Sequence, residues 1–169
     1  MPYMDDQNAE RLVNTYADTI LRIGYMYLKQ TCDAEDICQE VFLKLLSHEF
    51  QFQSPSHEKA WIIRATINAC KDRLRTSFWR NAVGLDSAID LPAPEPPDSE
   101  LLELVMTLPK NQRISIYLYY YEGYSVKEIA NMMGKRENTV SAYLSRGRLR
   151  LRRIPSFVPQ FLNTALMQR

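Results

Sequence analysis

The chain has 169 residues, ordinary apolar content and a net charge of +1, enough for one large or two small domains with packed cores. It contains no apolar run of the roughly 18 residues that span a membrane, and its acidic beginning is unlike a signal peptide, so we expect a cytoplasmic protein without membrane insertion. The three cysteines, Cys32, Cys38 and Cys70, include no CxxC pair, which predicts reduced core thiols and no metal site or cofactor.

Two helices are predicted at the start of the chain. Apolar side chains recur at helical spacing over residues 6–30, and Thr31–Asp33 interrupts them. Asp33 is predicted to cap a second helix. The apolar stripe of that helix is expected to be buried and consists of Ile37, Val41, Phe42, Leu45 and Leu46. Asp36, Gln39 and Glu40 point away from it.

A polar loop, residues 51–59, carries Phe52, and Ser54-Pro55 is predicted to start a third helix with Ser54 as its cap. One face of this helix mixes aromatic, amide and basic side chains: Trp61, Arg64, Asn68, Lys71 and Arg75. The apolar face contains Ile63, Ile67, Cys70 and Leu74. The mixed face is either an ordinary solvated surface or a nucleic-acid surface, on which aromatic side chains stack on unpaired bases and cations follow the backbone.

A linker is predicted next, because residues 82–99 hold four prolines, four acidic side chains and no basic ones. We therefore expect an all-α fold of two small domains: an N-terminal helical domain over residues 1–80, a flexible linker over 81–99 and a C-terminal domain over 100–169. The charge is divided accordingly. Residues 101–169 carry eleven basic and four acidic side chains, a net +7 that suits a nucleic-acid partner.

Two helices are predicted before the most distinctive segment of the C-terminal domain. Asp98 or Ser99 caps a short helix through Met106, and a helix over 110–122 ends at Gly123. The apolar face of the second helix is expected to cover the segment that follows, and consists of Ile114, Tyr117, Leu118 and Tyr121. Tyr119 and Tyr120 make this helix apolar nearly all round, which often marks a partner surface.

The segment from Ser125 to Arg153 predicts a helix-turn-helix. Ser125 and Glu128 form a capping box, and Gly134 suits the left-handed residue that closes the first helix. A second helix starts near Glu137, and Pro155 stops it.

The faces of this second helix predict DNA binding. Its apolar face contains Val140, Tyr143, Leu144, Gly147 and Leu151. Its other face is small and polar, then basic, and contains Asn138, Ser141, Ala142, Ser145, Arg148 and Arg152. Small residues let a helix approach base edges, and arginines contact phosphates. The alternative is an ordinary helical hairpin with a solvated basic face.

Three segments in order carry a family resemblance: DAEDICQEVFLKLL, AWIIRATINACKDRLR, and LPKNQRISIYLYYYEGYSVKEIANMMGKRENTVSAYLSRGRLRLR. Over roughly residues 8–153 the chain resembles the extracytoplasmic-function class of bacterial sigma factors. The resemblance implies binding to core RNA polymerase and promoter DNA, control by an anti-sigma factor, and no enzymatic activity.

The resemblance also implies residue roles. The second helix would dock on the β′ subunit through Asp36, Gln39 and Glu40. The third helix and the loop before it would melt and read the −10 element through Phe52, Trp61, Arg64, Asn68, Lys71, Arg73 and Arg75. The 110–122 helix would contact the polymerase flap through Tyr119 and Tyr120. The recognition helix would read the −35 element through Arg136, Asn138, Thr139, Ser141, Arg146 and Arg148. Many family members have a basic residue where this chain has Ser141.

Two other functions fit parts of the sequence. A free-standing helix-turn-helix regulator would need a dimer interface and usually a ligand pocket, for which the acidic helix and the aromatic-basic face of the N-terminal half offer no support. A metal-dependent nuclease would use Asp33, Glu35, Asp36 and Glu40. Helix capping explains the first three of these without catalysis.

Overall fold

The computed structural model describes residues 4–82 and 99–154, with the side chains of 79–82 and 99–102 left out. Every regular element in these residues is a helix. The helices are α1 (Asp6–Leu28), α2 (Thr31–Ser47), α3 (Pro55–Ala82), α4 (Ser99–Met106), α5 (Lys110–Ile116), α6 (Val126–Met133) and α7 (Glu137–Arg152), and a π-helical turn (Tyr117–Tyr121) continues α5.

The chain divides into two compact units, residues 1–94 and 95–169. The predicted all-α, two-domain fold is confirmed. Most of the predicted linker, the candidate cap Asp98 and the predicted stop at Pro155 lie outside the described residues. None of the described helices combines the length and apolar character needed to cross a bilayer.

In the N-terminal unit α1 packs on both α2 and α3. The largest fully buried side chains described in this unit are Leu12, Ile20, Ile23, Met26, Ile37, Leu45, Ile62, Ile63 and Ile67. Gly24 lies where α1 meets α2, and a Cβ on it would be 3.1 Å from both Cα and Cβ of Ala34. The two helices are therefore close enough at this point that a larger residue would force them apart.

The start of α2 differs from the prediction. Lys29 takes a left-handed conformation with φ 58°, so the chain reverses there and re-enters a helix at Thr31. Gln30 is the N-cap residue, and Asp33 lies in the first turn. The predicted cap at Asp33 is wrong, although its carboxylate still favours the positive end of the helix dipole.

Three predicted core positions also differ. Leu46 is 38% exposed, because Ala34, Ile37, Val41 and Leu45 line the contact face of α2 and Leu46 lies beside that line. Phe42 is half-buried. Cys32 is an exposed free thiol at the start of α2, whereas burial raises the pKa of the Cys70 thiol to about 12.

In the C-terminal unit α5 and α6 pack on α7. The buried apolar side chains of these helices include Ile114, Ile116, Ile129, Met133, Val140, Leu144 and Leu151. The capping box is present, with the Glu128 N–H donating to Ser125 Oγ and the Ser125 N–H to the Glu128 carboxylate. Gly134 has φ 64°, as predicted. The helix-turn-helix is thus fixed largely by local sequence.

The π-helical turn overturns one further prediction. The Glu122 N–H donates to the Tyr117 carbonyl, five residues back, which places an extra residue in the turn. Tyr121 is consequently 49% exposed and stacks on Tyr117 at 5.1 Å between ring centroids. It does not belong to the buried face formed by Ile114, Tyr117 and Leu118.

Gly147→Ala tests how tightly α5 packs on α7. A Cβ at Gly147 would lie 2.9 Å from Cγ1 of Ile116, a side chain with almost no free space around it. Overpacking costs about 1–3 kcal/mol, and removing glycine from a helix returns about 1 kcal/mol. We expect the free energy of unfolding, measured with urea, to fall by about 1 kcal/mol.

The control is Ser141→Ala, an exposed position on the same helix. It should change stability by no more than about 0.5 kcal/mol. A Gly147→Ala protein about 1 kcal/mol more stable than the parent would show that Ile116 moves aside without penalty, because only the gain from removing glycine would remain.

Candidate nucleic-acid and polymerase interfaces

A cluster of aromatic side chains lies at the start of α3. We use "aromatic cluster" for Phe50, Phe52 and Trp61 with His48 and His57 at its edges. The Phe50 and Phe52 rings lie 4.4 and 5.8 Å from the Trp61 ring, centroid to centroid, and 5.7 Å from each other. The three are half-buried. They form a partly exposed aromatic surface of the kind on which bases stack.

The aromatic cluster is held in place by local bonds. The His57 N–H donates to Ser54 Oγ at 3.1 Å, which confirms Ser54 as the cap of α3. The His57 ring lies edge-on to Phe52, with 5.6 Å between centroids. Lys44 Nζ lies 5.7 Å from the Trp61 ring centroid and adds a positive charge.

Phe50 and the two histidines are cluster members that sequence reasoning missed. Phe50 precedes the predicted loop by one residue, and the alternation Phe50-Gln51-Phe52 was the available signal.

The exposed face of α3 continues from Trp61. Arg64 and Asn68 are exposed at successive turns beyond it, and Lys71 is half-buried on the same face. Arg75 lies further along and pairs with Asp72, an exposed neighbour on the same helix. Five of the seven residues predicted to contact the −10 element therefore form one continuous surface: Phe52, Trp61, Arg64, Asn68 and Lys71.

Arg73 does not join this surface. Its guanidinium lies 3.0 Å from Asp36 and 3.8 Å from Asp33, both on α2. Asp36 was predicted to bind polymerase and Arg73 to bind DNA, and the structure pairs them with each other. Both side chains keep substantial exposure, at 58% for Asp36 and 30% for Arg73.

The exposed face of α2 is broader than the sequence suggested. Gln39 and Glu40 are exposed, as predicted, and Leu43 follows on the same face with 67% of its surface exposed. Leu46 extends the apolar part of this surface. A leucine this exposed, next to an acidic turn, is typical of a protein interface. Its spacing from Gln39 and Glu40 was the available signal.

The recognition helix α7 presents the predicted polar face. Arg136, Asn138, Ser141 and Arg146 are exposed, while Thr139 and Arg148 are half-buried. A groove between α6 and the start of α7 is lined by Lys127, Asn131, Lys135, Arg136 and Asn138, among others. Lys127 and Lys135 are basic residues that sequence reasoning did not single out. With Arg136 they make three basic residues against two acidic ones, Glu128 and Glu137, so the lining of the groove has a small positive excess.

A tyrosine from the π-helical turn that continues α5 holds Arg148. Arg148 Nη1 donates to the Tyr120 hydroxyl at 3.0 Å, and Nη2 donates to Ser145 Oγ at 3.4 Å. Tyr120 was predicted to bind polymerase, but its hydroxyl is directed at a predicted DNA contact. The Tyr119 ring lies edge-on to Tyr120, with 5.0 Å between centroids.

Metal chemistry finds no support in the described ranges 4–82 and 99–154. No group of three or more His, Cys, Asp or Glu side chains there could hold a metal ion. Of the four residues considered for a nuclease, Asp33 and Asp36 are both paired with the Arg73 guanidinium.

Comparisons with known proteins bear on both units. Residues 12–80 match the family described as sigma-70 region 2, and residues 98–151 match sigma-70 region 4. The chain is 30% identical over 155 residues to a probable RNA polymerase sigma factor, RfaY, of Xanthomonas campestris, covering 84% of this chain and 39% of that protein. It is 26% identical over 157 residues to the ECF RNA polymerase sigma factor SigM of Mycobacterium tuberculosis, covering 91% of this chain and 80% of SigM.

A solved structure with the same fold covers nearly the whole chain. It is the sigma factor RpoE of Bartonella quintana in complex with the anti-sigma factor NepR, with a TM-score of 0.71 and 19% identity. The similarity covers 93% of this chain and 98% of RpoE. At this identity the comparison concerns the fold alone.

A double-mutant cycle on Asp36→Asn and Arg73→Gln measures how firmly these side chains hold each other. Because both are partly exposed, we expect a coupling free energy of about 0.2–1 kcal/mol from urea unfolding, falling as salt is added. Such a weak pair leaves either side chain available to a partner. A salt-insensitive coupling above about 2 kcal/mol would instead identify a structural bond.

Proposed function

The chain belongs to the sigma-70 family of bacterial RNA polymerase sigma factors, in the extracytoplasmic-function class, and we propose that it divides promoter recognition between its two units. The N-terminal unit opens and reads the −10 element, and the C-terminal unit reads the −35 element in duplex form. The observation that carries the proposal is that each unit presents one surface, and that the two surfaces have different chemistry.

The aromatic cluster and the exposed face of α3 suit unpaired DNA. Opening a duplex requires partners for bases that have lost their stacking, and exposed rings supply about 1–3 kcal/mol per base. The amide of Asn68 can donate to and accept from a base edge. Arg64 and Lys71 lie one turn to either side of Asn68, where they can follow the strand.

The recognition helix suits closed DNA. Short side chains at the start of a helix, such as Asn138 and Ser141, let the helix approach base edges closely in the major groove. Arg136, Lys127 and Lys135 then lie where the phosphates pass. Arg146 and Arg148 extend the positive charge towards the end of α7.

Core polymerase is proposed to bind both units. Asp36, Gln39 and Glu40, extended by Leu43, form the surface for the β′ subunit. Tyr119 and the exposed ring of Tyr121 form the surface for the β flap. Tyr120 has a different role in this proposal, because its hydroxyl holds Arg148.

The remaining assignments follow from the same proposal. An anti-sigma factor is proposed to inhibit the protein by covering these surfaces; RpoE, which shares the fold, is in complex with the anti-sigma factor NepR in its solved structure. The protein acts through binding, with no catalytic activity, metal or cofactor of its own.

Reconstitution tests the proposal as a whole. The purified chain is mixed with core RNA polymerase and genomic DNA fragments, and we expect co-migration with the core enzyme and transcription from specific start sites. A dimer that binds palindromic DNA tightly without joining the core enzyme would favour the free-standing regulator.

Asn68→Ala tests the division of labour. We expect promoter opening, followed by permanganate reactivity of unpaired thymines, to fall about five- to tenfold, because one hydrogen bond to a base is worth about 1 kcal/mol. Binding to core polymerase should be unchanged. Equal loss of opening and core binding would remove the −10 role from this face.

Two variants test separately the charge of Arg148 and the orientation of its guanidinium at the −35 surface: Arg148→Ala and Tyr120→Phe. Arg148→Ala should weaken DNA binding by the C-terminal unit in the holoenzyme and lower the salt dependence of affinity by about one ion. Tyr120→Phe keeps the charge but frees the guanidinium, so we expect a loss of about two- to fivefold with the salt dependence retained. Tyr119→Phe removes the same atom one residue earlier and should leave DNA affinity unchanged. If all three variants bind like the parent, Arg148 lies outside the interface.

A further inference from the structure

A buried carboxylate lies on α3 between two members of the aromatic cluster, His57 and Trp61. Glu58 is only 8% exposed, and both of its oxygens accept hydrogen bonds from α1. Arg11 donates to Oε1 at 2.9 Å and to Oε2 at 3.0 Å, and the Tyr16 hydroxyl donates to Oε1 at 2.8 Å. We use "Glu58 anchor" for these three side chains.

In the Glu58 anchor a negative carboxylate accepts hydrogen bonds from the positive Arg11 guanidinium and from the neutral Tyr16 hydroxyl. The hydrogen bonds from Arg11 and Tyr16 hold the pKa of Glu58 below its usual range in spite of burial. Burial and the neighbouring carboxylate raise the pKa of Tyr16 to about 12, so its hydroxyl stays a donor at neutral pH. Arg11 is itself oriented, since its Nε donates to Asn8 at 2.9 Å. The Arg11 side chain keeps 48% of its surface exposed, and its bidentate bond to Glu58 constrains direction as well as distance.

The anchor lies at the start of α3, where the chain connects the members of the aromatic cluster. Glu58 is in the first turn, and its N–H donates to the Ser54 carbonyl, the last residue of the loop. It follows His57, which contacts Phe52, and precedes Trp61 by less than one turn. The anchor therefore fixes the turn that connects both halves of the aromatic cluster.

A carboxylate is not the simplest way to fill this position. Apolar side chains of similar volume often stabilise a core as well as a buried ion pair or better, whereas a hydrogen-bonded pair specifies one orientation. A surface that must capture unstacked bases depends on orientation, since displacements of about 1 Å are enough to impair a site. Orientation of the cluster is the property that the anchor supplies.

We infer that Glu58, held by Arg11 and Tyr16, is a positioning residue for promoter opening: it sets the first turn of α3 and with it the aromatic cluster that receives unpaired bases. This inference rests on the proposed function of the cluster. In this inference the anchor acts through the aromatic cluster and not through a DNA contact of its own.

The test uses holoenzyme made from the full chain and core polymerase, well below the melting temperature of each variant. The probe is a single-stranded oligonucleotide carrying the −10 sequence of a promoter that the parent holoenzyme transcribes. Glu58→Gln removes the charge and keeps the shape. We expect it to weaken binding of this oligonucleotide at least fivefold and to slow open-complex formation, because a misplaced cluster fits bases poorly.

Two other affinities should not change: that for core polymerase, and that for a duplex carrying only the −35 element. The matched control is Glu10→Gln, which makes the same chemical change at an exposed position of α1. It should bind the oligonucleotide like the parent.

If Glu58→Gln does not fold, a second variant tests the positioning role of the anchor. Tyr16→Phe removes a single hydroxyl and should weaken oligonucleotide binding about threefold. A variant with a lowered melting temperature but unchanged oligonucleotide affinity would overturn the inference, since the anchor would then serve stability alone. Failure of the parent holoenzyme to bind the oligonucleotide would overturn the proposed function of the cluster instead.

Discussion

Each functional helix of this protein buries one face in a small apolar core, and this burial determines which side chains stay exposed and can contact partners. In α3 the buried residues Ile63, Ile67 and Cys70 leave Arg64 and Asn68 outside. In α7 the buried residues Val140, Leu144 and Leu151 do the same for Asn138 and Ser141. Because a helix is rigid over this length, burial of one stripe fixes the direction of the other.

Features determined by local sequence were predictable, and those determined by tertiary packing were not. The capping box at Ser125, the left-handed Gly134 and the apolar stripe of α7 each depend on residues within a few positions. By contrast, the left-handed Lys29 carries no sequence signal, and it moved the start of α2 away from Asp33. The π-helical turn likewise carries no sequence signal, and it directs the Tyr121 side chain outward. Glu58 and Arg11 are 47 residues apart, so no local pattern connects them.

Two bonds connect surfaces that the sequence suggested were separate. Asp36 pairs with Arg73 in one unit, and Tyr120 holds Arg148 in the other. In each case a side chain predicted to bind polymerase contacts one predicted to bind DNA. The physical character of the bonds differs. The ion pair is exposed and screened by water, so a partner can replace either member at little cost. The tyrosine bond is partly buried and keeps the guanidinium in one orientation, which favours a fixed phosphate contact.

The distribution of charge also separates affinity from discrimination in the proposed function. The groove beside α7 has three basic residues, Lys127, Lys135 and Arg136, against two acidic ones, and contacts from such basic residues to phosphates add affinity for any sequence. In this proposal Asn138 and Ser141, both with short side chains, contact base edges at the start of the helix. We therefore propose that the −35 contact mainly holds polymerase on DNA. Tethering then raises the local concentration of the N-terminal unit at the promoter. In this proposal, discrimination between promoter sequences occurs mainly at the step with the larger energetic penalty, which is the trapping of unpaired bases. The aromatic cluster carries out that step, and Glu58 keeps the cluster in place.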